Sequence, residues 1–335
     1  MKSFMAQEAA EAPDAVQRFL DRNANALRDI GSRLRLNPPQ VILTSARGSS
    51  DNAAAYFKYL TEITVGVPCC SMGASVVSVY GAKLKVQGGF CLTISQSGKS
   101  PDIVALQEAA RHGGALTVAL VNDENSPIAK AADICLPLHA GPEISVAATK
   151  SFIVSLVAGA AIVAHTLNDA ALLRSISELP ACLARAKMVQ WPELVAVAKV
   201  ADSLYILGRG PSLPIAAETA LKFKETCAIH AEAYSIAEVM HGPLELLGEG
   251  FPVLAYSVND KSRRSTQDTI HKMRQTRAHV LVAEEGGLPF IGTSNTLLDP
   301  ISLIQTAYPN IEASALARGR NPDQPRFLNK VTETM

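Results

Sequence analysis

Apolar positions recur at helical spacing from Ala15 to Leu34, and the pair Pro38-Pro39 then stops the pattern. The short unbroken apolar run Val41–Thr44 follows and predicts a strand. Similar runs at Gly89–Ile94, Leu116–Val121 and Ile134–Leu138 alternate with helix-like stretches such as Asp102–Arg111, and a long helical stretch from Ser145 to Leu173 closes the series. Continuous apolar strands separated by helices imply a parallel sheet covered on both faces, because such strands are buried on both sides. The pattern then starts again: Leu204–Leu207 predicts a strand, Pro214–Cys227 a helix, Pro252–Ser257 a strand, Ser262–Arg277 a helix and His279–Ala283 a strand.

The two rounds resemble each other locally. Val41-Ile42-Leu43-Thr44-Ser45-Ala46-Arg47-Gly48-Ser49-Ser50 and Ser203-Leu204-Tyr205-Ile206-Leu207-Gly208-Arg209-Gly210-Pro211-Ser212 both run from a strand through Arg-Gly-x-Ser into an Ala-rich helix, which reads as an internal duplication. The expected organisation is an α/β chain: a helical segment at 1–34, a first half at 35–190, a second half at 191–316 and a polar tail at 317–335. Trp191-Pro192 marks the break between the halves.

Composition narrows the function. Of 335 residues, 48% are hydrophobic and only 5% aromatic, so the cores are built from Ala, Val, Leu and Ile. Lys and Arg number 31, and so do Asp and Glu, so no overall field draws the chain to nucleic acid or an anionic membrane, and any phosphate must be bound locally. The first fourteen residues mix acids with Ala and lack the basic start and apolar stretch of a secretory leader. The apolar run Ser151–Ala164 is shorter than a membrane span and predicts a buried helix. Six cysteines show no CxxC pair and no metal-ligand spacing, which suits reduced, mostly buried thiols in a cytoplasmic protein with no metal.

Three segments carry candidate chemistry. Ile94-Ser95-Gln96-Ser97-Gly98-Lys99-Ser100-Pro101-Asp102 leaves a strand and enters a helix, where free backbone N–H groups and small hydroxyl or amide side chains can cradle a phosphate. The same serines could instead only cap the helix. Glu218, Lys222 and Glu225 are spaced by four and three and so share one helix face; they could move protons or form a surface ion-pair stripe. The stretch Ile229-His230-Ala231-Glu232-Ala233-Tyr234, followed by Glu238-Val239-Met240-His241-Gly242-Pro243, is dense in His and Glu and reads as site rather than core.

Taken in order, several motifs resemble the sugar isomerase (SIS) domains. They are Ser95-Gln96-Ser97-Gly98, Glu143-Ile144-Ser145-Val146-Ala147-Ala148-Thr149-Lys150, Ala220-Leu221-Lys222-Phe223-Lys224-Glu225, Ile229–Tyr234, His241-Gly242-Pro243-Leu244 and the terminal Asp323-Gln324-Pro325-Arg326-Phe327-Leu328-Asn329-Lys330. The order is similar to the isomerase half of glucosamine-6-phosphate synthases. The resemblance implies two tandem SIS domains, each a flavodoxin-like or Rossmann-like parallel sheet with helices on both faces. Only forty residues precede the first expected strand and none is Cys, so a glutaminase domain is not expected. That points to the family's breakdown direction, as in the type II glucosamine-6-phosphate deaminases.

On that resemblance Ser50, Ser95, Gln96, Ser97 and Ser100 hold the phosphate, and Val146, Ala147 and Ala148 contact the sugar. Glu225 is the base that carries a proton between C2 and C1, with Lys222 and Glu218 polarising hydroxyls. His241 assists ring opening from the neighbouring subunit of a homodimer, and Lys330 acts at the carbonyl, covalently or by charge. The substrate pair is glucosamine 6-phosphate and fructose 6-phosphate, with no cofactor. Two departures leave epimer and nitrogen substituent open: Met240 stands where the synthases have lysine, and Ala148 where they have serine. The alternatives are an aldose–ketose isomerase, an enzyme for another amino-sugar phosphate or glycated amine, and a non-catalytic phosphosugar sensor.

Overall fold

The structure, a computed structural model, describes residues 2–284 and 286–330. Among the described residues, contacts gather the chain into two compact units: 14–143, 150–178 and 329–330 form one, and 2–13, 144–149, 179–284 and 286–328 the other. The first helix, α1 (Phe4–Leu36), contributes its opening turns to the second of these and the remainder to the first.

In the first unit, strands β1 (Ile42–Ser45), β2 (Cys69–Ser71), β3 (Phe90–Ser95), β4 (Leu116–Val121) and β5 (Ile134–Pro137) form one parallel sheet in the order β2-β1-β3-β4-β5. The chain steps to one side of β1 to make β2 and to the other side to make β3. The β1/β3 boundary is therefore the topological switch point, where open parallel sheets bind ligands beyond the strands' carboxyl ends. Both strands are buried along their whole length, as central strands covered on both faces must be. Helices α2 (Ser49–Thr64), α3 (Ser75–Ser78), α4 (Pro101–His112) and α5 (Pro127–Ala131) connect the strands, and α6 (Lys150–Leu167) and α7 (Ala170–Ser177) follow.

Helix α6 is long and apolar enough to cross a membrane, but 83% of it is buried inside the fold, against α2 among others. It is the buried core helix expected over Ser151–Ala164. The expected stretch Ser145–Leu173 is trimmed at both ends. Residues 144–149 have no regular structure, and at the far end Asn168 takes a left-handed φ of 53° while Asp169 accepts the Ala171 and Leu172 N–H groups at 2.9 and 3.0 Å to start α7.

The second unit holds α8 (Leu179–Ala186), α9 (Pro192–Val200) and a four-stranded parallel sheet, β7-β6-β8-β9, made of β6 (Ser203–Gly208), β7 (His230–Ser235), β8 (Pro252–Tyr256) and β9 (His279–Ala283). Helices α10 (Leu213–Lys222), α11 (Arg263–Gln275) and α12 (Asp299–Ala317) complete it. Trp191 is fully buried here, its backbone N–H on Asn310 Oδ1 at 2.6 Å and its indole N–H on the Pro289 carbonyl at 2.7 Å. Trp191-Pro192 thus lies inside this unit, which already includes Leu179.

The expected repeat extends to the register of the strands. Carrying Val41 onto Ser203, an offset of 162 residues, carries the pair Ser45–Thr93 onto Leu207–Ala255 and the pair Leu43–Cys70 onto Tyr205–Glu232. Gly48 and Gly210, matched by the same offset, have φ of 57° and 56°.

Candidate active site

The β3–α4 connection lies at the switch point of the first sheet. Ser95 ends β3, buried, and its Oγ accepts the Gly98 N–H at 3.0 Å, folding the loop back over the strand end. Gly98 has φ 65°, and a Cβ there would stand 2.2 Å from Ser126 Oγ, so no other residue fits without moving α5's cap. Ser100 occupies the N-cap position of α4 but makes no side-chain cap bond. Its hydroxyl, with the half-buried Gln96 and Ser97, is left for another acceptor or donor. The neighbouring β1–α2 loop carries Ser50, half-buried in the first turn of α2. Arg47 in that loop ties the two connections together: its Nε donates to Asp102 Oδ2 at 2.7 Å, and Asp102 is 2% exposed at the start of α4. Ser50 and Ser95–Ser100 therefore share one end of one sheet, held by a pair that sequence spacing alone did not single out.

The Arg209–Ser212 loop follows β6 as the Ser50 loop follows β1, and the β3–α4 connection has a duplicate of its own. It is the β8–α11 connection, where Ser257-Val258-Asn259-Asp260-Lys261-Ser262 stands against Ser95-Gln96-Ser97-Gly98-Lys99-Ser100. Asp260 replaces the tight glycine, and its Oδ1 accepts the Ser262 N–H at 2.8 Å and the Ser262 hydroxyl at 2.6 Å.

The second cluster grows out of α10. Lys222 Nζ lies 3.3 Å from Glu218 Oε1 and 2.6 Å from Glu225 Oε2. Tyr308 on α12 donates its hydroxyl to Glu218 Oε1 at 3.3 Å. Glu218 and Lys222 are fully buried, whereas the Glu225 side chain keeps 16% of its surface. The surface-stripe alternative is thereby excluded. Helix α10 ends in a π turn, Phe223–Cys227, closed by Ala228 in the left-handed conformation, and this wider turn carries Glu225. Burial alone would lower the Lys222 pKa; the two carboxylates outweigh it and hold it above the usual lysine value, so the ammonium stays charged.

Glu225 opens onto a cavity of about 440 Å³ that is otherwise lined by Lys224, Thr226, Ala228 and the tail from Gly319 to Leu328, including Arg320 and Arg326. That volume is in the range of small-molecule sites.

The remaining expected residues lie as follows. Lys330, one-quarter exposed, sits 3.5 Å from Glu143 Oε2, and buried Glu143 also accepts the Ser151 N–H at 3.1 Å and the Ser151 hydroxyl at 2.5 Å. Val146 and Ala148 are half-buried, while Ala147 is 1% exposed and can offer only backbone. Stretch 229–234 is mostly β7, the edge strand of the second sheet. His241 ends a short 3₁₀ turn, exposed; among the described residues no hydrogen bond or ion pair joins it to Glu218, Lys222 or Glu225. No cluster of three metal-ligating side chains occurs among the described residues.

The sequence profile of the SIS domain matches residues 36–165 and 199–283, which coincide with the two sheets and their connections. The chain belongs to the SIS domain family. It is 31% identical over 98% of its length to the glutamine–fructose-6-phosphate aminotransferase of Zymomonas mobilis, and 33% to that of Pseudomonas aeruginosa. It spans 58% of the length of each of these relatives. Among solved structures, a candidate phosphosugar isomerase of Silicibacter pomeroyi is 43% identical with a TM-score of 0.93, covering 96% of this chain and all of that one. The glucosamine-6-phosphate deaminase of Thermotoga maritima, at 21% identity and a TM-score of 0.75 over 96% of this chain and 99% of its own, shares the fold.

Proposed function

We propose that this SIS protein is an amino-sugar phosphate isomerase that hydrolyses its product imine, converting glucosamine 6-phosphate and water to fructose 6-phosphate and ammonia. The observation that carries the reading is the Glu218–Lys222–Glu225 row: a charged lysine buried between two carboxylates, one of which faces a cavity of sugar-phosphate size. A general base must lie within reach of the substrate, and Glu225 is the carboxylate of the row that lines the cavity. Likeness to aminotransferases that act on fructose 6-phosphate, and to phosphosugar isomerases, supports the substrate class.

In the proposed reaction the two SIS segments act as tandem domains with separate tasks. Gln96, Ser97, Ser100 and Ser50, at the mouths of α4 and α2, hold the phosphate. His241, contributed by the second subunit of a homodimer, opens the pyranose by moving a proton from the anomeric hydroxyl to the ring oxygen. Glu225 removes the C2 proton and returns it to C1, giving first an enolamine and then an imine at C2. Water adds to the imine carbon and ammonia leaves. Lys330, held at Glu143, supplies positive charge near the carbonyl, and Val146 and Ala148 contact the hydroxyls. The reaction is cytoplasmic metabolism and belongs to the hydrolases by its outcome.

Ammonia release from glucosamine 6-phosphate and from its C4 epimer, measured beside C2 proton exchange with deuterated water, tests the proposal. Exchange with ammonia release supports it. Exchange without ammonia replaces it with aldose–ketose isomerisation, and the lack of both on every amino-sugar and hexose phosphate tried would leave a sensor.

A further inference from the structure

The opening turns of α1 hold two other pieces of the second unit. A helix leaves its first N–H groups without intrahelical acceptors. In α1 the first two are met by the tail, the next two by Ser3: Phe4 N–H donates to Asp323 Oδ2 at 2.7 Å and Met5 N–H to Asp323 Oδ1 at 2.8 Å, a carboxylate on the positive end of the helix. Asp323 lies within the tail segment whose Arg320, Gln324, Arg326 and Leu328 wall the Glu225 cavity. One turn further on, Glu8 is 4% exposed and accepts the Ile144 N–H at Oε1 and the Ser145 N–H at Oε2, the latter at 3.2 Å. Residues 144–149 belong to no helix or strand, so their N–H groups have no ladder to join, and Glu8 serves two of them as acceptor. Val146 and Ala148 follow directly.

This part of α1 is itself pinned. Gln305 on α12 donates to the Ala9 carbonyl at 3.0 Å, Lys187 to the Ala10 carbonyl at 2.9 Å, and Ser3 to Glu312 at 2.8 Å. A fixed helix that grips two irregular segments, one on each side of a turn, is a mount for them.

We infer that residues 4–8 of α1 form a clasp in which Asp323 and Glu8 are positioning residues: they set the tail beside Glu225 and the 144–149 segment that follows Glu143. Their effect on turnover rests on the function proposed above; the clasp itself does not. The test uses the full chain with Glu8→Ala, Glu8→Gln, Asp323→Ala and Asp323→Asn. Without substrate, hydrogen exchange should quicken about tenfold or more at Ile144 and Ser145 in Glu8→Ala, and at Phe4, Met5 and the tail in Asp323→Ala. The KM for glucosamine 6-phosphate should then rise about tenfold in each alanine variant while the affinity for inorganic phosphate stays put. Glu8→Gln, which keeps one carbonyl oxygen in place, should recover part of the loss.

Unchanged exchange in both alanine variants overturns the clasp. So does faster exchange with an unchanged KM, or a parallel loss of phosphate affinity, since either makes the contacts merely structural. If Glu8→Ala does not fold, Glu8→Gln and Asp323→Ala carry the same comparison. Faster local exchange in a protein that turns over no sugar phosphate would support the clasp and sink the proposed reaction instead.

Discussion

Replacing Lys222 by Met keeps an unbranched side chain of similar size and removes only the ammonium. Glu218, fully buried, then keeps the Tyr308 hydroxyl but loses the Lys222 ammonium. Breaking a buried ion pair by deleting one partner costs about 3 to 5 kcal/mol, chiefly the desolvation of the charge left behind. The unit concerned has about 170 residues. At about 2.1 cal/mol/K per residue its unfolding entropy is roughly 0.36 kcal/mol/K, so the loss lowers Tm by about 8 to 14 °C. The cost has a pH signature. Without Lys222, Glu218 retains its proton in the folded state above the range where an unfolded Glu loses it, about 4.3. A raised folded pKa means that stability is whole below the unfolded pKa and is lost as pH rises through the folded one. The deficit against wild type should therefore be small near pH 5 and largest near pH 8. The double variant Glu218→Gln/Lys222→Met, with no charge left to bury beside Tyr308, should regain at least half of the lost Tm. Calorimetry of the three proteins at both pH values decides the matter. A Lys222→Met protein melting within about 2 °C of wild type at both, or a double variant no better than the single one, refutes the reasoning.

Three further outcomes follow from the site. Glu225→Gln should slow C2 proton exchange by about 100-fold or more while leaving phosphate affinity intact, because it removes a base and little shape; near-normal exchange retires Glu225 as the proton carrier. Ser97→Ala should weaken sugar-phosphate binding by about 1 to 3 kcal/mol by titration calorimetry, the range for a hydrogen bond to a charged group, and an unchanged Kd returns the loop to a structural role. Iodoacetamide at about pH 8 should label native protein at Cys70 first: it alone of the six cysteines is exposed, and burial pushes the Cys69 and Cys91 thiols up to about 12. Peptide mass spectrometry reads the order of labelling.

What the sequence made legible follows from burial. Central strands such as β3 and β4 are buried on both faces, so their composition is uninterrupted and the apolar runs mark them within a residue. Edge strands carry no such mark. β2 is three residues long, and β7, half-exposed with His230, Glu232 and Tyr234, has the composition of a site segment although it forms the border of a sheet. Helix α12 is buried on nearly all sides and holds Pro309, so it lacks the polar stripe and the proline-free span by which a helix is usually recognised. Within the site, spacing along one helix placed Glu218, Lys222 and Glu225 on a common face, but burial decides their character, and only the packing of α12 supplies Tyr308. Arg47–Asp102, Glu143–Lys330 and Glu8 with Ile144 and Ser145 join residues 55 to more than 130 positions apart. No local periodicity reports such pairs.

The repeated connection explains why the two halves would divide the work. After β3, Gly98 turns the chain tightly and its N–H goes to Ser95, which leaves Gln96, Ser97 and Ser100 turned to no cap of their own helix. After β8, the matching position is Asp260, and its carboxylate takes the Ser262 amide at the mouth of α11, while Gln267 donates to Ser257 Oγ at 3.2 Å. The Ser262 amide and the Ser257 hydroxyl are thus engaged by the chain, and a phosphate approaching them would meet the like charge of Asp260 in a partly buried place, where repulsion is weakly screened. Freed from anchoring a phosphate, that half can bury a lysine between two carboxylates without a third anion competing for it. On this argument the proposed phosphate site belongs to the β1 and β3 loops, and the proposed acid–base residues belong to the other sheet.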